Sequence, residues 1–302
     1  MEPLSSIESQ YGHVAIPGIA KVVAGQGNLP KIHITTAQAE AEIYLHGAQV
    51  TAWRPADTAE TIFLSEHSGW EDGRAIRGGI PVCFPWFRTK SDNAKAPSHG
   101  VVRTKAWKLD SLTYDQDVVI ATLSTESDEA TRKFWPYDFR LVHRITVGTQ
   151  LKLELITTNT GQSSFQFEEA LHTYHHVGDA TKAHVQGLDG ATFFDNTDSN
   201  QKKTQQGDIL FHKATDNAYL NTTSVVELID PQLQRRIRLI KENSASTVVW
   251  NPGEAGAKAL TDMGDDEWRQ MVCVEACNII QCAVTLDAGA QHTMVANIEV
   301  LP

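Results

Sequence analysis

The stretch Phe139-Arg140-Leu141-Val142-His143-Arg144-Ile145-Thr146-Val147, followed by Gly148-Thr149-Gln150 and then Leu151-Lys152-Leu153-Glu154-Leu155-Ile156, reads as two strands joined by a tight turn. Apolar and β-branched residues cluster or recur at every second position on both sides, the period of a strand with one buried face. The short link Val147-Gly148-Thr149-Gln150 suits a hairpin. The same signature recurs in Ala41–Leu45, Val118–Leu123, Arg235–Ile240, Ser246–Trp250 and Met294–Val300. Turn signals such as Asn159-Thr160-Gly161 and Asp189-Gly190 separate such runs, and strong helical periodicity is scarce. The pattern predicts an all-β chain, a large antiparallel β-sandwich with few short helices.

The chain has 302 residues, 41% of them hydrophobic and 21% charged, enough apolar material for a sizeable core. No linker, repeat or low-complexity tract divides it, so one domain over residues 1–302 is expected, with residues 1–30 as a peripheral N-terminal extension. A net charge of −11, from 26 basic and 37 acidic residues, argues against nucleic acid or an anionic membrane as partner. Met1-Glu2-Pro3-Leu4-Ser5-Ser6-Ile7-Glu8 lacks the basic and apolar segments of a signal peptide, and no apolar run reaches membrane-spanning length. A cytoplasmic protein, acting as a monomer, is expected. The cysteines Cys83, Cys273, Cys277 and Cys282 lack the spacing of a disulfide framework or a zinc site and read as small buried hydrophobes. Cys273 and Cys277 share the strand side of Glu275 and would line its surroundings.

Two segments break the strand pattern with chemistry. Phe167-Glu168-Glu169-Ala170-Leu171-His172-Thr173-Tyr174-His175-His176 places an imidazole in a buried strand, and Met271-Val272-Cys273-Val274-Glu275-Ala276-Cys277-Asn278-Ile279-Ile280 places a carboxylate in an apolar run. A lone buried carboxylate is costly to keep ionised, and a His and a Glu held on rigid strands can move protons near neutral pH. Taken singly, each has an ordinary reading: a histidine satisfied by backbone, and an internal ion pair. Regular alternation would put Glu168, Ala170, His172, Tyr174 and His176 on one side and Phe167, Glu169, Leu171 and Thr173 on the other. A zinc site built from His172, His175 and His176 is disfavoured, because adjacent histidines on a strand face opposite ways.

A third region differs in character. Arg74-Ala75-Ile76-Arg77-Gly78-Gly79-Ile80-Pro81-Val82-Cys83-Phe84-Pro85-Trp86-Phe87 joins backbone freedom at Gly78-Gly79 to a guanidinium suited to phosphate or carboxylate. A long polar loop, Arg88 to Ser98, leads to His99-Gly100-Val101-Val102-Arg103, and loops of such length are more often functional than idle. No P-loop or dinucleotide fingerprint is present.

Arg77-Gly78-Gly79-Ile80-Pro81 with Phe84-Pro85, His99-Gly100 with Arg103, Glu169-Ala170-Leu171-His172-Thr173-Tyr174, Trp250-Asn251-Pro252 and Val274-Glu275 resemble, in that order, the hexose-6-phosphate mutarotase branch of the aldose 1-epimerase family. The resemblance runs from about Ala41 to the end. It implies a galactose mutarotase-like β-sandwich that exchanges the α and β anomers of glucose 6-phosphate and related hexose phosphates without metal or organic cofactor. By the same resemblance, His172 would be the general acid and Glu275 the general base. Arg77 and Arg103 would hold the phosphate, Asp216 would bind sugar hydroxyls, and His99 would lie near the sugar ring. Ser98 stands where some members carry a ligand-contacting glutamine. Two rival readings stay open. One is an aldose 1-epimerase of unphosphorylated hexoses; the other is a non-catalytic carbohydrate-binding sandwich using Trp53, Trp70, Trp86 and Trp250 as a stacking platform.

Overall fold

The computed structural model describes residue 7 and residues 9–302. The opening stretch Met1–Glu8, read above for a signal peptide, lies outside the described residues except for Ile7, and the start of the 1–30 extension lies outside them with it.

The diagnostic hairpin forms as read. Strands Phe139–Val147 and Gln150–Asn159 pair antiparallel from Phe139 opposite Asn159 to Val147 opposite Leu151, around a two-residue turn. Every second residue from Phe139 to Val147 is buried, His143 among them. These strands lie inside a nine-stranded antiparallel sheet. Its order is Ile209–Leu210, His184–Gln186, Val226–Asp230, Arg235–Glu242, Gln291–Leu301, Gln150–Asn159, Phe139–Val147, Val118–Glu126 and Lys108–Asp115.

An eight-stranded sheet packs opposite it. The order runs Gln201–Thr204, Thr192–Asp195, Thr215–Leu220, Ser246–Asn251, Met271–Asn278, Glu169–Leu171 and Val82–Cys83, with Tyr174–His176 also paired to Met271–Asn278. A third sheet of four strands comprises Ala20–Ala24, Pro30–Thr35, Ala39–Tyr44 and Gln49–Pro55. Residues 20–24, within the stretch read as a peripheral extension, are the edge strand of this sheet, and Ala20 and Val22 are buried in the core. Helix is confined to short pieces such as Glu129–Arg132 and Gly253–Ala259, and none among the described residues is long and apolar enough to cross a membrane.

One apolar core joins all three sheets. Leu141, Leu153, Ile237 and Ile298 of the nine-stranded sheet meet Leu171, Val249, Val274 and Ala276 of the eight-stranded one, with Ile32, Ile34 and Val50 of the third. Alternation along the strands then sends Cys273, Glu275, Cys277 and Val248 to the other face of the eight-stranded sheet. That face carries two smaller apolar clusters, one containing Cys277, Cys83, Phe87 and Val248, the other Cys273, Tyr174, Met263 and Trp268.

Candidate active site

Glu275 sits between those two clusters, fully buried, which explains why its strand reads as apolar throughout. His172 arrives from the neighbouring chain segment. The sequence suggested one strand over 167–176; the structure has three short ones, Phe165–Phe167, Glu169–Leu171 and Tyr174–His176. The ladder lapses at His172 and Thr173, where the Thr173 N–H turns back to the Leu171 carbonyl at 2.9 Å. Register nevertheless carries through the gap, since Leu171 faces Ala276 and Tyr174 faces Cys273. His172 therefore falls opposite Glu275, and its Nε2 lies 3.5 Å from Glu275 Oε1.

Both groups line one pocket of about 420 Å³. All the residues singled out from sequence line it: Arg77, Ser98, His99, Arg103, His172, Asp216 and Glu275. Arg77 is held by two bonds, Nε to Asp262 Oδ1 at 3.1 Å and one Nη to the Tyr174 hydroxyl at 3.0 Å. The Tyr174 ring in turn stacks on His172 with centroids 4.8 Å apart. Arg103 has a buried Nε with no hydrogen-bond partner within the protein. Asp216 lies in strand Thr215–Leu220, accepting bonds from Arg88 and from Asn196 Nδ2.

The long polar loop is closed at its neck. His99 N–H donates to the Arg88 carbonyl at 2.8 Å, and Arg88 N–H donates to His99 Nδ1 at 3.3 Å. That second bond makes Nδ1 the acceptor and leaves the proton on Nε2. Trp86 pins the loop through its indole N–H to the Pro97 carbonyl. Gly78 and Gly79 take positive φ, but the backbone they approach belongs to Phe63 and Val50, where an added Cβ would lie 2.6 and 2.5 Å from a carbonyl oxygen. Their role is to let the arginine segment pack against that backbone. Of the four tryptophans, Trp250 lines the pocket; Trp53 is core and Trp70 packs on Tyr44.

Electrostatics set the resting protonation. Burial, then Arg103 and Arg77, push His172 down to about 3. Burial, then Asp216, hold Glu275 well above the usual carboxylate range, with Arg88 opposing. Both shifts favour the uncharged forms, a neutral imidazole and a protonated carboxyl.

The sequence reading missed Arg88, Asn196, Asp262 and the anchoring hydroxyl of Tyr174. Arg88 opens the loop already marked as unusual, a signal that was there to use; Asn196 and Asp262 carry none. Glu169 was passed over too. It is fully buried on the face away from the pocket, 2.9 Å from His292 Nε2 and bonded by Asn278 Nδ2 at 2.8 Å. Cys83, Cys273 and Cys277 are free and buried, as expected, and Cys282 is partly exposed.

A mutarotase-type β-sandwich, with a buried histidine and glutamate lining its pocket, is the class that fold and site define. A solved structure described as a "putative mutarotase (YeaD)" from Salmonella typhimurium superposes with a TM-score of 0.88 at 31% identity, covering 95% of each chain. The profile described as Aldose 1-epimerase matches residues 30–299. The chain belongs to the aldose 1-epimerase family. Relatives from Salmonella typhimurium and Escherichia coli, each named "Putative glucose-6-phosphate 1-epimerase", are 35% and 36% identical. The matches cover 82% of this chain in both cases, and 83% and 82% of the relatives.

Proposed function

We propose that this protein interconverts the α and β anomers of glucose 6-phosphate and related hexose 6-phosphates, with His172 and Glu275 as the proton-transfer pair. The observation that carries the phosphate reading is the convergence of Arg77 and Arg103 on the pocket that holds the pair, with a buried Arg103 Nε lacking any acceptor. A buried donor without a partner is costly, and a phosphate oxygen would satisfy it. The names of the two bacterial relatives point the same way, and about 420 Å³ is ample for a hexose phosphate.

The chemistry follows from the charges. A phosphate dianion on Arg77 and Arg103 cancels much of the field that depresses His172, so substrate binding favours passage of the carboxyl proton from Glu275 to His172. Glu275, now a carboxylate, takes the proton of the C1 hydroxyl while the imidazolium gives its proton to the ring oxygen. The C1–O5 bond breaks and an open-chain aldehyde forms. Rotation about C1–C2 presents the other carbonyl face; O5 attacks it, its proton returns to His172, and Glu275 reprotonates O1. Both groups are restored, so the cycle runs in either direction. Positioned acid and base groups contribute about 10²- to 10⁴-fold, and Asp216, with Ser98 and His99, would orient the ring.

Arg103→Ala tests the substrate class. Loss of a charge-assisted phosphate bond, about 1.5–3 kcal/mol, should lower kcat/KM for glucose 6-phosphate by about ten- to a hundredfold. Turnover of free glucose should change little. Equal losses on the two sugars would overturn the phosphate assignment and favour an epimerase of free hexoses.

A further inference from the structure

Read along the chain, the cysteines lack zinc-site spacing; in space, three buried thiols gather beside the acid–base pair. Cys273 and Cys277 flank Glu275 on its own strand, and Cys83 packs in the same apolar cluster as Cys277. Among the described residues, a ring nitrogen of His172, the Sγ of Cys273 and a carboxylate oxygen of Glu275 all lie within 4.8 Å of one another.

Zinc holds N, O and S donors at about 2.0–2.3 Å in a tetrahedron, which places the donors roughly 3.3–3.8 Å apart. The His172–Glu275 edge is at that spacing already, at 3.5 Å. The thiol has at most about 1 Å to travel, within reach of a side-chain rotation. Glu275 is fully buried and its Oε1 has no hydrogen-bond partner, so an acceptor already faces the cradle unused. Charge also balances, because a thiolate and a carboxylate cancel a dication. Three guanidiniums oppose a metal ion: Arg77 and Arg88, each offset in part by its partner Asp262 or Asp216, and Arg103. A thiolate ligand selects a soft ion over magnesium or calcium. His172 and Glu275 line the pocket, so the fourth coordination position would open towards solvent or sugar.

We propose that His172, Cys273 and Glu275 form a zinc-binding site and that Zn²⁺ inhibits the enzyme by occupying the acid and base in exclusion of substrate. On binding, the Cys273 thiol proton and the Glu275 carboxyl proton leave to solvent, and no electrons move. The inhibition rests on the functional reading above; the binding does not.

Cobalt(II) is the direct probe, because a thiolate ligand gives a near-ultraviolet charge-transfer absorption. Titrating Co²⁺ into the full chain under a non-chelating reductant should show one ion bound per chain with that band, displaced by Zn²⁺ and weakened in proportion to added glucose 6-phosphate. Cys273→Ala and Cys273→Ser should each lose the band, keep their uninhibited turnover, and need at least about tenfold more Zn²⁺ for half-inhibition. Cobalt binding without the band, no binding, or unchanged Zn²⁺ sensitivity in a folded Cys273 variant overturns the proposal. Should neither variant fold, the wild-type titration decides: a thiolate band that glucose 6-phosphate does not weaken counts against it. A chain that shows the band but never speeds anomer exchange would sink the functional reading alone; brisk anomer exchange untouched by Zn²⁺ would sink the zinc site alone.

Discussion

Glu275 pairs the lowest exposure in the pocket with surroundings that favour the protonated carboxyl as its resting form. Glutamine is nearly isosteric with that resting form. Glu275→Gln should therefore unfold at a midpoint within a few degrees of wild type while anomer exchange drops by at least about a hundredfold; a variant that stays active would remove Glu275 as the base. At this scale His172 and Glu275 were legible because a titratable group in an otherwise apolar strand is anomalous by itself. Asn196 and Asp262 were not, because what gives them meaning is a partner 20 or 185 residues away. Pairing across such distances leaves no trace in local pattern.

The strand Met271–Asn278 is pinned at both ends by asparagine side chains. Asn251 Nδ2 donates to the Trp268 and Met271 carbonyls at 2.8 Å each. At the other end Asn278 donates to Glu169 and to the Asn243 carbonyl and accepts from the Ala245 N–H. These bonds fix the register that sets Glu275 opposite His172. Asn278→Ala would take from the buried Glu169 carboxylate one of its two partners, leaving His292, and would unpair two backbone groups, so denaturant titration should show a loss of roughly 2–4 kcal/mol. A change below about 0.5 kcal/mol would mean the pin is idle. The longer strands were legible from alternation, as in Phe139–Val147 and Gln150–Asn159. The two- to four-residue strands, such as Val82–Cys83 and Tyr174–His176, were not read as separate elements: each is held by pairing with a neighbouring strand of the eight-stranded sheet and is too short to display a period.

Across the whole molecule, buried neutral histidines tie stability to pH. His143, fully buried with Nδ1 3.1 Å from the Ala48 carbonyl, is pushed from 6.5 down to about 4, chiefly by burial. His175 is likewise pushed to about 3 by burial. Between about pH 6.5 and 4 the unfolded chain binds more protons than the folded one, so stability must fall as pH falls through that window. His143 alone accounts for a loss on the order of 3 kcal/mol. Thermal unfolding at pH 7 and pH 4.5 should show the drop, and His143→Gln should shallow it; a pH-independent midpoint would contradict the account. Anomer exchange itself is followed by NMR. Freshly dissolved α-glucose 6-phosphate is followed to anomeric equilibrium with wild type, with Glu275→Gln and in buffer alone. Acceleration by wild type and by neither of the other two is the predicted result, and a folded wild type no faster than buffer would contradict it.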